Sequence, residues 1–139
     1  MARAYRAQAV AQFEASPIHP LTAHGAPASV GIYALYENVK EPPVYIGVAA
    51  GVKLRARLSR HERKISGATK IDVTSIWCRY LVIDEEGEEW IASAAEAHLI
   101  KHYEPKWNKS GFGSNVPGAG RPGIHAVQWD EWYPPRQKY

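Results

Sequence analysis

At 139 residues, with 45% of them hydrophobic, the chain has room for one domain and enough apolar material for one core. Its single cysteine, Cys78, excludes a disulfide framework and a cysteine-rich zinc site. No apolar run approaches the ~18 residues of a membrane span and no signal peptide is visible, so a cytoplasmic protein is expected; the net charge of +3 leans weakly toward an anionic partner.

The first element, residues 2–15, has helical composition and stops at Ser16-Pro17. A loop containing Pro20, Gly25 and Pro27 leads to a β-branched and aromatic strand over 30–36. Turn residues at 37–42 and a second strand at 43–48 follow. Over 52–66 the apolar residues Leu54, Leu58 and Ile65 recur at helical spacing, and Gly67 ends that helix. A short helical turn before Thr74 precedes a strand over 75–84 (SIWCRYLVID), the strongest strand signal in the chain. A turn at 85–87 leads to a helix over 88–103, stopped by Pro105. The remainder, rich in glycine and proline, reads as an irregular arm.

Gly31-Ile32-Tyr33 and Tyr45-Ile46-Gly47 are mirror images. With 37–41 as a five-residue hairpin loop, an antiparallel ladder places Gly31 opposite Gly47, Ile32 opposite Ile46 and Tyr33 opposite Tyr45. Two phenols then share one sheet face and two isoleucines the other. Taken alone, such a pair is more readily a packing feature than a site.

Each of the two later helices buries an unexpected residue. The stripe Leu54, Leu58, Ile65 has His61 where an apolar side chain belongs, and Arg57 lies one turn earlier on its edge. Lys53, Arg60 and Lys64 form a cationic ridge beside it, facing solvent or a polyanion. In the second helix Ala92, Leu99, Ile100 and Tyr103 surround Glu96. A carboxylate there needs a partner: a salt bridge to Arg57 or Arg79, or a metal ion, the reading favoured because buried charge marks sites. His98 and His102 share a face without a zinc-protease frame, and the arm's glycines lack the Lys-Ser/Thr of a phosphate-binding loop.

In order and spacing, Gly31-Ile32-Tyr33, Tyr45-Ile46-Gly47, Arg57-x-x-x-His61, Glu96 and Asn108 resemble the GIY-YIG endonuclease superfamily. The histidine variant, with RYLVID, EPKWN, GFGSNVPGAGR and QWDEWYPPR, is most similar to a type II restriction branch whose members cut the palindrome CCGCGG. The resemblance implies an α+β nuclease fold: a small antiparallel three-stranded sheet flanked by helices. It divides the chain into an N-terminal helix and loop (1–29), a catalytic core (30–108) and a DNA-contacting arm (109–139).

It also implies roles. Tyr33 acts as general base, Tyr45 positions it, Arg57 stabilises developing charge, and His61 assists Tyr33. Glu96 holds one Mg2+ or Mn2+, and Asn108 orients its neighbours. Double-stranded DNA is the implied partner, met by a homodimer without organic cofactor or membrane. Lys53, Arg60 and Lys64 would contact the backbone, and Arg121 the bases. Tyr5, Val10 and Phe13 of the first helix offer part of a dimer surface. Two alternatives stand beside this reading: a phage or repair nuclease of the same superfamily acting as a monomer, and a non-catalytic DNA-binding module of the same fold.

Overall fold

The computed structural model describes residues 2–83, 89–113 and 127–136, with side chains from Ala7 onward. Helix α1 (Ala2–Glu14) is followed by strand β1 (Ile18–Pro20), the hairpin strands β2 (Gly31–Tyr36) and β3 (Tyr45–Ala49), and helix α2 (Leu54–Ser66). Strand β4 (Trp77–Val82), helix α3 (Glu89–Tyr103) and helix α4 (Gln128–Trp132) complete the order. Single 3-10 turns lie at Leu21–Ala23 and Val73–Ser75.

The sheet is antiparallel and four-stranded, in the order β1-β4-β2-β3, rather than three-stranded. The added strand, β1, pairs Ile18 with Arg79 and Pro20 with Trp77. Its three residues end in a proline, which lacks the N–H a longer strand needs, so the segment carries loop composition while lying at a sheet edge. α4 likewise lies within the arm expected to be irregular. It is one turn and a half long, and burial of Trp129 rather than helical periodicity holds it.

The hairpin register differs from the mirror symmetry of the tripeptides by two residues. Tyr33 faces Gly47, Leu35 faces Tyr45, and Gly31 faces Ala49. The symmetric register would set Leu35 against Pro43, which has no N–H to give. Instead the Val44 N–H donates to the Leu35 carbonyl at 2.8 Å, and the loop lengthens to take in both prolines. Asn38 shapes that loop, its carboxamide oxygen accepting from the Lys40 N–H at 2.9 Å. Because side chains alternate with a period of two, a two-residue shift leaves every side chain on its original face.

Two layers of core result. Tyr33, Leu35 and Tyr45 pack with Leu54, Leu58 and Ile65 of α2 and with Trp107, Phe112 and Trp129 from the C-terminal segment. On the opposite face Ile32, Ala34, Tyr36 and Ile46 pack with α1 and α3 through Ala9, Phe13, Ile91, Ala95 and Leu99. Phe13, expected at a dimer surface, is therefore core, and Val10 packs against the same cluster. An alanine-rich helix of low amphipathicity conceals from sequence which side it buries. Among the described residues no helix is long and apolar enough to cross a membrane.

Candidate active site

β3 is the outermost strand on its side, so one row of its backbone groups has no strand partner. The segment after α3 covers part of that row. Asn108 takes both groups of Ile46: its carboxamide oxygen accepts from the Ile46 N–H at 2.9 Å and its NH2 donates to the Ile46 carbonyl at 2.8 Å. The Trp107 N–H donates to the Val44 carbonyl at 2.9 Å. Asn108 thus acts as a short surrogate strand that fixes the tripeptide carrying Tyr45. One residue pair further along, the Val48 N–H stabilises the carboxylate of Glu96, which reaches the same edge from α3.

Tyr33 and Tyr45 lie on one face with ring centroids 6.0 Å apart, diagonal rather than directly opposed. The diagonal placement explains Gly47. The Tyr33 ring crosses directly over it, and a Cβ at residue 47 would lie 2.5 Å from Cζ and from Oη of Tyr33. The Tyr33 hydroxyl reaches past this gap to His61 Nε2 at 2.7 Å.

His61 fills the apolar stripe of α2 and is buried. Burial, together with the nearby cations Arg57 and Arg60, pushes its imidazole down to about 3, so at neutral pH it is uncharged. The Tyr33 hydroxyl is moved well above its usual range, chiefly by burial and then by Tyr45, while Arg57 pulls the other way. Tyr45 shifts upward for the same leading reason and is also opposed by Arg57.

Arg57 is the electrostatic centre of the group. It acts on Tyr33, Tyr45, His61 and Glu96, and its buried Nε has no hydrogen-bond partner among the described residues. The ion pairs among the described residues, Lys64–Asp130 and Lys106–Glu37, involve neither Arg57 nor Glu96. Arg79, the other cation considered for Glu96, lies on the α1 side instead. It donates to the carbonyls of Phe13 and Glu14 and packs over Tyr36. Glu96 is half-buried and burial raises its pKa, with Arg57 and the Val48 N–H opposing the shift.

Tyr33, Tyr45, His61, Arg57, Glu96 and Asn108 therefore converge on the β3 edge, drawn from both layers. The cationic ridge is less uniform. Lys53 and Arg60 are exposed, whereas Lys64 pairs with Asp130 at 2.6 Å and lies over the Trp129 ring, tethering α4 to α2. Arg121, the acidic turn at 85–87 and the glycines of 118–120 lie outside the described residues, as does the side chain of Tyr5. Phe112 escaped the sequence reading, and Gly113 entered it only as one of the arm's glycines. Phe112 stacks on His61 with centroids 4.8 Å apart, and Gly113, at φ +71, brings backbone against Tyr45 and His61. The available signal was the Gly-Phe-Gly spacing itself.

A model of the Eco29kI GIY-YIG domain family matches residues 46–138. The chain belongs to this GIY-YIG family. No curated protein matches it. The matched range contains Arg57, His61, Glu96, Asn108 and α4, and it runs on to residue 138. Tyr33 lies ahead of that range and joins the group through the β2–β3 pairing.

A GIY-YIG domain is a nuclease domain, and nucleases of this kind use a divalent metal. Among the described residues no group of three or more His, Cys, Asp or Glu side chains is placed to hold an ion. The donor set fits a hard cation held by one carboxylate, because Mg2+ keeps most of its waters and shares substrate phosphate oxygens. Glu96 presents a carboxylate at this edge with no protein ion pair among the described residues, and it is the residue that would hold such an ion.

Proposed function

We propose that this protein is a metal-dependent endodeoxyribonuclease of the type II restriction kind, acting as a homodimer on a GC-rich palindrome such as CCGCGG. The observation that carries the chemistry is the 2.7 Å contact between Tyr33 Oη and His61 Nε2. A buried tyrosine is a poor phenolate, so Tyr33 alone makes an unconvincing base at neutral pH. A neutral His61 changes that. With Nε2 unprotonated, the Tyr33 hydroxyl donates to it while the Tyr33 oxygen accepts a proton from the attacking water, and the phenolic proton moves to the imidazole. The negative charge of bound phosphate offsets Arg57 and raises the low proton affinity of the buried imidazole. No free phenolate has to form. The sequence reading had His61 assist Tyr33; the role proposed for it here is proton acceptor.

Arg57 is assigned to the phosphate. Its guanidinium has no carboxylate partner among the described residues, so it is free to meet charge that develops on the non-bridging oxygens. Tyr45 holds the Tyr33 ring on its diagonal, and Asn108 holds Tyr45 through Ile46. Glu96 would hold the divalent ion, which when bound supplies positive charge to the scissile phosphate and leaving oxygen. Lys53 and Arg60 follow the phosphate backbone, and Arg121 reads bases.

Each chain carries one such centre, so cutting both strands is simplest for a two-fold dimer on a palindrome. With Phe13 in the core, the interface uses another surface. Plasmid cleavage with Mg2+, mapping of the cut ends, and sedimentation on a duplex containing the site test the proposal. Linear product with cuts inside a palindrome and a dimer on DNA are expected. Nicking by a strict monomer would favour a repair or phage role, and no hydrolysis with intact DNA binding would favour a non-catalytic module.

A further inference from the structure

We propose that Phe112 and Gly113 are positioning residues for the Tyr33–His61 pair, holding the imidazole in the plane that lets Nε2 accept from Tyr33, the bond that in turn selects its tautomer. This inference rests on the nuclease reading above and deepens it. The polar contact described for the His61 side chain is the one to Tyr33, at 2.7 Å. One such contact leaves the ring free to turn about its own bond, and turning would exchange nitrogen for carbon at the Tyr33 hydroxyl. Aromatic packing on the remaining sides prevents this. Phe112 stacks against the imidazole at 4.8 Å and 29°, and Tyr45 meets it edge-on at 5.3 Å and 68°. Phe112 also meets Tyr45 edge-on, with centroids 5.0 Å apart, so it wedges both partners of Tyr33 at once.

Phe112 is itself anchored. It is 3% exposed, and it contacts Trp107 at 4.9 Å and Trp129 at 5.0 Å, the same two indoles that tie the C-terminal segment to the core. Its N–H is directed at the Ser110 hydroxyl, which in turn donates to the Trp107 carbonyl at 2.6 Å. The Trp129 N–H donates to the Ser110 carbonyl at 3.0 Å, joining α4 to the turn that presents Phe112.

Gly113 completes the arrangement. A Cβ there would sit 2.6 Å from Tyr45 Oη and 3.0 Å from His61 Cε1, so the main chain is pressed directly on both side chains. Its φ of +71 is a conformation that side chains strain. Gly111, at φ +86, is pressed against Val127 in the same way, which sets the turn from its other end. The position of residues 110–113 is thus dictated from several sides, and in turn dictates where the His61 ring lies.

The test compares Phe112→Leu with Phe112→Tyr in the full chain. Single-turnover cleavage of plasmid DNA, affinity for a duplex measured in Ca2+, thermal stability, and 15N-resolved NMR of the His61 ring are read together. In the wild type the ring is expected to show one tautomer. Phe112→Leu is expected to cleave about 10–100-fold more slowly with unchanged duplex affinity, and to show averaged tautomers. Phe112→Tyr, which keeps the stacking ring, is expected within a few-fold of wild type with one tautomer. If Phe112→Leu fails to fold, Gly113→Ala is read by the same measurements. A folded Phe112→Leu with wild-type rate and an unchanged ring signature overturns the inference and leaves the nuclease reading standing. An inactive wild type removes the nuclease reading, and the His61 resonances alone then decide whether Phe112 fixes the ring.

Discussion

Gly47→Ala is the sharpest perturbation the site offers, because it adds one methyl group beneath the proposed base and alters no polar atom. The new Cβ would lie 2.5 Å from both Cζ and Oη of Tyr33. Ordinary contacts between such atoms are about 3.5–4.0 Å, so ring and strand must separate by about 1 Å or more. The Tyr33 ring is fully buried and cannot swing into solvent. Displacing it by about 1 Å in any direction spoils the length or alignment of the 2.7 Å contact with His61, since hydrogen bonds of this kind span only about 0.5 Å in length. Overpacking of this kind costs about 1–3 kcal/mol of stability, and misplacing a reacting group by 1 Å costs about 10²-fold in rate. Gly51→Ala is the matched control, since a Cβ there meets nothing within 4 Å. Denaturant unfolding and single-turnover cleavage at saturating Mg2+ measure the two effects separately. A folded Gly47→Ala enzyme that cuts DNA at the wild-type rate would refute both the placement of the Tyr33 ring and its role.

Tyr33→Phe keeps the ring over Gly47 and removes only the hydroxyl, so cleavage should fall by about 10²–10⁴-fold with little change in melting temperature; a wild-type rate would make Tyr33 a packing residue. Glu96→Gln should abolish cleavage while duplex affinity survives, because affinity comes mainly from Lys and Arg contacts to phosphate; joint loss of binding and cutting in a filter-binding and cleavage comparison would make Glu96 structural. His61 contributes to the acid sensitivity of the fold. Its imidazole sits at about 3 in the folded chain, below the ordinary 6.5, so the unfolded state binds the extra proton and stability falls as pH drops from about 6.5 toward 3. The slope approaches about 1.4 kcal/mol per pH unit, and His61→Phe should remove it; parallel stability–pH lines for the two proteins between pH 6 and 4 would contradict a neutral, buried His61.

Local pattern alone made much of this molecule legible. The 3.6-residue period of α2 exposes its defect at His61, since Leu54, Leu58, His61 and Ile65 are the residues that helix buries. The period-two alternation of β2 and β3 puts Tyr33 and Tyr45 on one face under either register, which is why the displaced hairpin did not displace the tyrosines. Glu96 stood out as an acid among apolar helical neighbours.

What remained hidden depended on contacts between residues far apart in the chain. Sequence symmetry suggested directly opposed tyrosines, and only the missing N–H of Pro43 and the Val44–Leu35 bond set the diagonal and gave Gly47 its purpose. Nothing in Asn108 itself announces that it completes the edge of β3 at Ile46, because the strand order that leaves this edge open is a property of the whole sheet. Whether Phe13 faces solvent or α3, and whether Lys64 meets DNA or Asp130, follow from packing of the opposite layer and of α4. A residue's type and its local period fix which face it occupies, whereas its partner depends on which other segment the folded chain brings to that face.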